Sequence, residues 1–461
     1  MRPRFFVPTF FCIVTTSIFG CSTQEAPNPV LTFNQGQETD TFADIKRFEV
    51  ERIDLKGKSE RIFRDNRLPD SIDMGNSGTY YFVAKGFDKN DTLVAVARSL
   101  KAKPGELLGA EIPMFFARTD RATRPLGSFE STPKQNPVAA VRDGHSIWYL
   151  DDSSDETVET DSYDFAYWAQ VTPDETYQSF TCPKTPCRLR NLVIVNGYLA
   201  VAIGETWALG IDTYYAKADE FTTPDGISDW ATVAGGRTLP GGNATMILVG
   251  PTRLEDPTDA VIGFGVDDNG AITMAPIKTH TKRAGAALLF EEGFGLVLAS
   301  GSTKGAGVER LEPNGSEFKE IPYPADPTVG AALVMEDETH LLRVGGITAD
   351  GSKAPTVRID IECTKDCSYE LVPDLDLEIR KAQSYYDLET KHTLIVGENA
   401  DGLTEVFRYD SSGFSSIVFA KSQKRIRAFA LELSNQQLGI IGGTDPEDDK
   451  SSRQDISVVA F

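Results

Sequence analysis

The chain has 461 residues, with 46 lysines and arginines against 68 aspartates and glutamates, a formal net charge of −22, and six cysteines. This acidic balance argues against nucleic acid and anionic membrane surfaces as partners, because lysine and arginine drive binding to both by neutralising phosphates. The length is sufficient for two or more domains, each with a core of its own.

The first 20 residues are expected to be an export signal. Arg2 and Arg4 precede an apolar run over residues 5–19 that carries no charge. The run is shorter than the about 20 residues that a membrane-spanning helix needs. Its end, IFGC at residues 18–21, resembles a bacterial lipobox. This resemblance implies a lipid on Cys21 and a place in the cell envelope, at the outer membrane, facing either the periplasm or the surface. The alternative is an ordinary secretory peptide with an incidental cysteine.

Residues 21–45 predict a flexible tether, because proline, glutamine, threonine and acidic residues dominate there. Residues 46–135 then predict a small all-β domain. Short apolar or alternating runs, such as RFEVERIDL and DTLVAVARSL, are separated by turn-rich pieces. This pattern is typical of an immunoglobulin-like sandwich. We expect Tyr80, Tyr81 and Phe82 to lie in its core.

Residues 136–461 repeat one pattern. Its clearest copy, from Val329 to Ala354, has an apolar run led by small residues, a polar turn, a second apolar run and a glycine pair. The pattern predicts two short strands joined by a tight turn. Seven copies begin at Pro137, Arg190, Asn243, Arg283, Val329, Lys381 and Ile426. A period of about 46 residues lies in the range of four-stranded propeller blades.

The repeats resemble those of kelch-like β-propellers, especially bacterial lipoproteins in which a small sandwich precedes the ring. The glycine pairs at 345–346 and 442–443 carry the resemblance, with weaker forms at Gly204, Gly265, Gly301 and Gly397. The expected fold is therefore all-β, an N-terminal sandwich followed by a propeller of seven blades, or six if one copy is incomplete. We expect a strand around residues 114–118 to close the ring against the last blade, because an open ring would leave an exposed edge.

Four cysteines remain after Cys21 and the signal peptide are set aside. Cys182 and Cys187 form one close pair, and Cys363 and Cys367 form another. An even number of cysteines in an exported protein predicts two local disulfides. A four-thiolate zinc site is the alternative, but the spacings are wider than those of common zinc knuckles, and an oxidising compartment works against it.

The four histidines are His145, His280, His340 and His392. Three of them, all except His280, precede the second strand of their copies. Equivalent positions on different blades lie far apart, so the sequence predicts solvated turn residues rather than a shared metal site. The acidic stretches 151–156 and 445–449 carry oxygen ligands suited to calcium, or are simply solvated loops.

No sequence pattern assigns a catalytic residue, a resident metal or a cofactor, and no Gly-x-Ser-x-Gly elbow occurs. The preferred hypothesis is a non-enzymatic, envelope-anchored binding or scaffold protein that presents propeller loops to a protein or glycan partner. An extracellular polysaccharide hydrolase or lyase, with acidic residues at the propeller channel, is the alternative. A structural envelope component without a discrete ligand is a third possibility.

Overall fold

This computed structural model describes residues 27–125, except 38–41, 76 and 100–102, and residues 257–461, except 267–271, 292–293, 313–314, 316, 388–389, 434–435 and 454. Between residues 137 and 249 it describes the strands alone. Within these ranges the fold is all-β, with 3-10 turns at Pro104–Glu106, Pro373–Leu375 and Lys421–Gln423. No helix in the described ranges has the length and apolar character to cross a membrane.

The N-terminal part forms two sheets. Its strands are β1 Val30–Asn34, β2 Arg47–Asp54, β3 Ser59–Asp65, β4 Ser71–Asp73, β5 Tyr80–Phe87, β6 Leu93–Arg98, β7 Glu111–Phe115 and β8 Ala117–Arg118. The strand orders are β4-β1-β7 and β3-β2-β5-β6-β8. One core joins the two sheets, with Leu31 and Met114 from the first and Phe48 and Phe82 from the second. Phe82 is fully buried, as the sequence predicts.

Strand β1 lies within the segment that the sequence predicts to be a tether. Val30–Asn34 pairs antiparallel with β4 and parallel with β7, where Leu31 lies opposite Ile112. Alternation explains the strand: Leu31 is fully buried, and Phe33 packs on the same core. The folded part therefore begins before residue 46, and residues 30–34 are structured.

Seven sheets follow in chain order, named here sheets 1 to 7. Sheet 1 contains β9 Pro137–Asp143, β10 Ser146–Asp151, β11 Thr157–Ala166, β12 Gln170–Pro173 and β13 Gln178–Thr181. Sheet 2 contains β14 Leu189–Val195, β15 Tyr198–Ile203, β16 Trp207–Asp212 and β17 Ala218–Thr222. Sheet 3 contains β18 Ala231–Thr232, β19 Ala244–Val249, β20 Thr258–Val266 and β21 Ile272–Arg283. Sheet 4 contains β22 Ala287–Glu291, β23 Gly295–Ala299, β24 Val308–Leu311 and β25 Lys319–Ile321. Sheet 5 contains β26 Val329–Met335, β27 His340–Ile347, β28 Val357–Asp360 and β29 Glu370–Leu371. Sheet 6 contains β30 Arg380–Asp387, β31 His392–Glu398, β32 Thr404–Asp410 and β33 Gly413–Ser416. Sheet 7 contains β34 Phe429–Glu432, β35 Gln437–Ile441 and β38 Ser457–Ala460, and the hairpin of β36 Thr444–Asp445 and β37 Asp448–Ser452 projects from it.

All seven predicted copies form antiparallel hairpins, which confirms the repeat pattern. In the copy at β26 and β27, Val334 lies opposite Leu342, and both side chains are fully buried. The glycine pair that ends this hairpin adopts φ values of 66° and 83° at Gly345 and Gly346. A Cβ on Gly346 would lie 2.8 Å from the carbonyl oxygen of Val329, so both the backbone conformation and the close approach favour glycine.

The sheets meet through their first hairpins. Strand β14 lies against β9 and β19, strand β26 lies between β22 and β30, and β34 of sheet 7 lies beside β9 of sheet 1. The last sheet in the chain therefore contacts the first.

The N-terminal sheets also share a core with sheet 7. Val96 and Phe115 pack with Leu433, Ile441 and Val458 in one buried cluster. Residues beyond β8 extend sheet 7, because each of Thr123 and Val458 donates its backbone N–H to the other's carbonyl, at 2.9 and 2.7 Å respectively.

The prediction that residues 114–118 pair with the last repeat is therefore wrong in its position. Met114 lies in β7, fully buried in the N-terminal core, and β8 pairs with β6 of the N-terminal sheet. The segment that reaches sheet 7 by backbone pairing is the one at Thr123.

Candidate functional site

The candidate site is a cleft at one edge of sheets 6 and 7. In an antiparallel meander, the segment that enters the first strand and the loop from the second to the third strand lie at the same edge, because successive strands reverse direction. In sheet 7 these are residues 417–428 and 442–456, and the corresponding loop of sheet 6 contains Leu403. Together they enclose a cleft of about 1040 Å³.

Backbone pairing holds the three segments together. Ile426 and Thr444 exchange N–H···O hydrogen bonds of 2.9 and 3.0 Å, and Ile426 also forms a β-bridge with Leu403. The N–H of Arg453 donates to the carbonyl of Gly443 at 2.9 Å. The cleft is therefore preformed by backbone hydrogen bonds.

Arg425 ties the cleft to the sheet beneath it. Its side chain is almost completely buried, and its Nη1 donates to the carbonyl oxygens of Ile440, Gly442 and Asp455 at 3.2, 3.3 and 3.0 Å. Its Nη2 donates to Ser457 Oγ at 3.0 Å. One guanidinium thus joins the segment entering sheet 7 to the ends of its second and third strands.

Ion pairs neutralise both carboxylates that line the cleft. Lys421 Nζ lies 2.7 Å from Glu447 Oε1 at the exposed rim, and Arg453 Nη2 lies 2.9 Å from Asp445 Oδ2 deeper inside. The hydrogen bond and negative charge of Glu447 raise the pKa of Lys421. Lys424 is exposed, and among the described residues no carboxylate lies within ion-pair distance of it. The lining therefore carries a net positive charge in a strongly acidic chain.

The cleft also has an apolar wall. Leu403, Phe419 and Pro446 line it and are partly exposed. Phe419 packs on the buried cluster that includes Ile417 and Leu438, so its position is fixed by the core. Convergent polar groups beside apolar surface are the usual composition of a ligand site.

Both carboxylates of the lining are already engaged by cations: Asp445 pairs with Arg453, and Glu447 pairs with Lys421. The same ion pairs compete with calcium for the oxygens of the 445–449 loop.

The other proposed calcium loop, residues 152–156, lies outside the described residues, which include Asp151 only as the end of β10. Across the ranges that the structure describes, no group of three or more histidine, cysteine or acidic side chains is placed to hold a metal ion.

The histidines are placed separately. His340 and His392 are the first residues of β27 and β31, at matching points of their hairpins, and His145 lies outside the described residues. His340 begins its strand beside the turn, with Nδ1 3.1 Å from Asp337 Oδ1. His280 lies in β21, and its Nε2 is 2.7 Å from the carbonyl oxygen of Phe318.

His392 differs from the expected solvated turn residue. Its Nδ1 is buried and has no hydrogen-bond partner among the described residues. Burial lowers the pKa of His392, and the positive charge of Arg408 lowers it further. His392 is partly buried and lies opposite Asp387, the residue that pairs with Arg98 of the N-terminal sheet, so its surroundings differ from those of an open turn.

One predicted cysteine pair can be located. The sulfur atoms of Cys363 and Cys367 lie 2.07 Å apart, a disulfide distance, in the loop between β28 and β29. Cys21, Cys182 and Cys187 lie outside the described residues.

The acidic pattern at 445–449 predicts calcium ligands or a solvated loop, and it does not predict the cations that surround Asp445 and Glu447. A signal was present, because the run KSQKR at residues 421–425 brings three cations just before the last repeat. The run alone does not show which of these side chains are buried. In the structure Arg425 is buried, while Lys421 and Lys424 line the cleft.

No family model matches the chain, and no curated protein matches its sequence. Among similar solved structures is one titled "Crystal Structure of Mitotic Checkpoint Complex", with a TM-score of 0.37 and 9% sequence identity. The match covers 74% of this chain and 95% of that chain. This likeness is too distant to say anything about function.

Proposed function

We propose that the protein is a non-enzymatic, envelope-anchored binding or scaffold protein built on a seven-bladed, kelch-like propeller. In this proposal sheets 1 to 7 are the blades, the N-terminal sheets are an immunoglobulin-like sandwich, and the lipid on Cys21 anchors the chain at the outer membrane. The succession of seven sheets, and the contact of β34 with β9, support the ring. Its ligand is a protein or a glycan.

The cleft at the edge of sheets 6 and 7 carries the proposal. Paired backbone segments preform it, Arg425 anchors it from below, and its lining combines exposed cations with apolar surface. In a preformed site, less binding free energy is lost to ordering loops. The carboxylates of Asp445 and Glu447 are engaged in ion pairs, so the cations and the apolar surface are the groups that the cleft offers to a ligand.

The test separates binding from hydrolysis in one set of samples. The mature chain is run through gels that contain neutral or acidic polysaccharides, and it is also cross-linked to isolated envelope proteins. Each polysaccharide sample is assayed for new reducing ends, and for the unsaturated products that a lyase would release. The proposal expects retardation or a discrete cross-linked partner without cleavage products. Cleavage of a retained polysaccharide would support the hydrolase or lyase, and no interaction of either kind would contradict a binding function.

A further inference from the structure

We propose that the cleft at the edge of sheets 6 and 7 binds a carboxylated saccharide, a chain of hexuronate units. This inference rests on the proposed binding function and specifies the class of ligand. Three features carry it: the sign of the charge in the cleft, the fixed guanidinium of Arg453, and an apolar wall beside the cations.

Charge selects an anionic ligand. Lys421, Lys424 and Arg453 line the cleft against the carboxylates of Asp445 and Glu447. Since the chain as a whole carries a net charge of −22, this local excess of cations runs against the general field of the protein. With three cations against two carboxylates, the lining favours an anion more than the acidic chain as a whole does.

Arg453 supplies the fixed donor. Its side chain is only 18% exposed, its Nε donates to the carbonyl of Lys424 at 3.2 Å, and its Nη2 pairs with Asp445. These bonds hold the plane of the guanidinium in place while it still lines the cleft. A planar guanidinium matches the geometry of a carboxylate, and the more mobile ammonium of Lys424 adds charge beside it.

The apolar wall favours a saccharide over a small anion. Leu403, Phe419 and Pro446 present carbon surface next to the cations, which suits the C–H face of a sugar ring better than phosphate or sulfate. A volume of about 1040 Å³ also exceeds the needs of a single small ion.

The backbone around the cleft disfavours an acidic peptide. A peptide that binds as an added strand needs an open strand edge. Here Ile426 already pairs with both Leu403 and Thr444, and β36 pairs with β37. The backbone edges at Leu403, Ile426 and Thr444 are therefore not available to an added strand, and recognition there falls to the side chains.

The experiment is isothermal titration of the mature chain with trigalacturonic acid. Its fully methyl-esterified form is the neutral comparison and hexaglutamate is the acidic peptide. We expect trigalacturonate to bind at least about tenfold more tightly than the ester, because charge-assisted hydrogen bonds are lost with the carboxylates. The affinity should fall as sodium chloride is raised from 0.05 to 0.5 M.

Two variants and one control locate the site. Lys424→Gln removes an exposed charge with little effect on folding, and Arg453→Gln removes the fixed donor. Each should weaken trigalacturonate binding, Arg453→Gln by about tenfold or more. Lys365→Gln, at an 85% exposed lysine in the loop between β28 and β29, should leave the affinity unchanged. Thermal melts establish that the variants fold.

The outcomes separate this inference from the proposed function. Equal binding of acid and ester, tighter binding of hexaglutamate, or equal losses in all three variants would overturn the carboxylated-saccharide site. If trigalacturonate does not bind while a neutral glycan or an envelope protein does, the ligand class is wrong and the binding function stands. If nothing binds in either set of experiments, both fail.

Discussion

Arg98 and Asp387 form a buried, two-pronged ion pair that joins the N-terminal five-stranded sheet to sheet 6. Arg98 Nη1 donates to Asp387 Oδ1 at 3.2 Å and Nη2 donates to Oδ2 at 2.9 Å, with the side chains only 3% and 6% exposed. Arg98 Nη1 also donates to Gln436 Oε1 at 3.0 Å. Next to this pair, Gln437 Nε2 donates to the carbonyl oxygens of Val96 and Phe115. The N-terminal part is thus fastened to sheets 6 and 7 by polar contacts as well as by the shared core.

Arg98→Met should destabilise the protein strongly. It leaves the Asp387 carboxylate buried without its main partner, and breaking a buried pair in this way costs about 3–5 kcal/mol. The measurement is the free energy of unfolding from urea denaturation. Lys103→Met is the control, since the Lys103–Glu106 pair is exposed and should contribute below about 1 kcal/mol. Similar losses in the two variants would contradict a stabilising role for the buried pair.

Acid should weaken this fastening. Burial alone would raise the pKa of Asp387, but the hydrogen bonds and charge of Arg98 outweigh it, and Thr390 contributes further hydrogen bonds, so the pKa is lowered. A carboxyl group with a lowered pKa in the folded state stabilises the protein above its unfolded-state pKa of about 3.9, and this contribution is lost as the pH falls through the folded-state value.

The check is the difference in unfolding free energy between the wild type and Asp387→Asn, measured from pH 6 to pH 3. We expect a constant difference in the upper part of this range and a shrinking one below about pH 4. A difference that is independent of pH down to pH 3 would show that the carboxylate charge is not what stabilises the contact.

His392 should make the free energy of unfolding depend on pH in a second, higher pH range. Because burial and Arg408 lower its pKa in the folded state, the unfolded state binds more protons below the unfolded-state value of about 6.5. Stability should therefore fall as the pH drops below that value. Comparing unfolding free energies at pH 7.5 and 5.5, His392→Gln should lose less stability than the wild type.

His340→Gln is the matched control for this effect. His340 occupies the same position in the preceding repeat, at the start of β27, but its side chain is 36% exposed. If His340→Gln altered the pH dependence in the same way as His392→Gln, the shared position in the repeat, and not the surroundings of His392, would be the cause. If His392→Gln retained the full pH dependence of the wild type, burial of the neutral imidazole would not be its cause.

The repeats were predictable from the sequence because each hairpin follows from local patterning. In β26 and β27, the apolar runs give the buried residues and the glycine pair gives the end of the hairpin. Contacts between side chains and distant strands were not predictable from this local pattern. Arg283 and Arg425 take equivalent positions in sheets 4 and 7, each just before the first strand, and both donate to backbone carbonyls at the ends of the second and third strands.

The candidate cleft depends on the same kind of long-range placement. Lys421 and Glu447 are separated in sequence by a complete hairpin, and they meet only because the chain returns to the same edge of sheet 7.

The early start of the N-terminal fold has a similar reason. The short run at β1 is too polar at its flanks to stand out, and it becomes a strand because β4 and β7 pair with it on both sides.

Replacing Gly443, the second glycine of the last pair, should lower the free energy of unfolding by more than its left-handed backbone conformation alone would explain. Gly443 has a φ of 79°, and a Cβ there would lie 2.6 Å from the carbonyl oxygen of Ile426 and 3.1 Å from the backbone nitrogen of Ala428. Gly351 has a similar φ of 83°, and a Cβ there would meet nothing within 4 Å. Gly351→Ala should therefore lose about 1–2 kcal/mol from the left-handed conformation, and Gly443→Ala about 1–3 kcal/mol more from the forced displacement.

Urea denaturation of Gly443→Ala and Gly351→Ala measures this difference directly. Because Gly443 lies two residues after the end of β35 and immediately before Thr444, which pairs with Ile426, its displacement should also loosen the cleft. Hydrogen exchange at the amides of Ile426 and Thr444 would detect this change. Gly351→Ala should leave exchange at those two amides unchanged. Equal stability losses in the two variants would mean that the close approach of the backbones at Gly443 does not constrain this corner of the sheet.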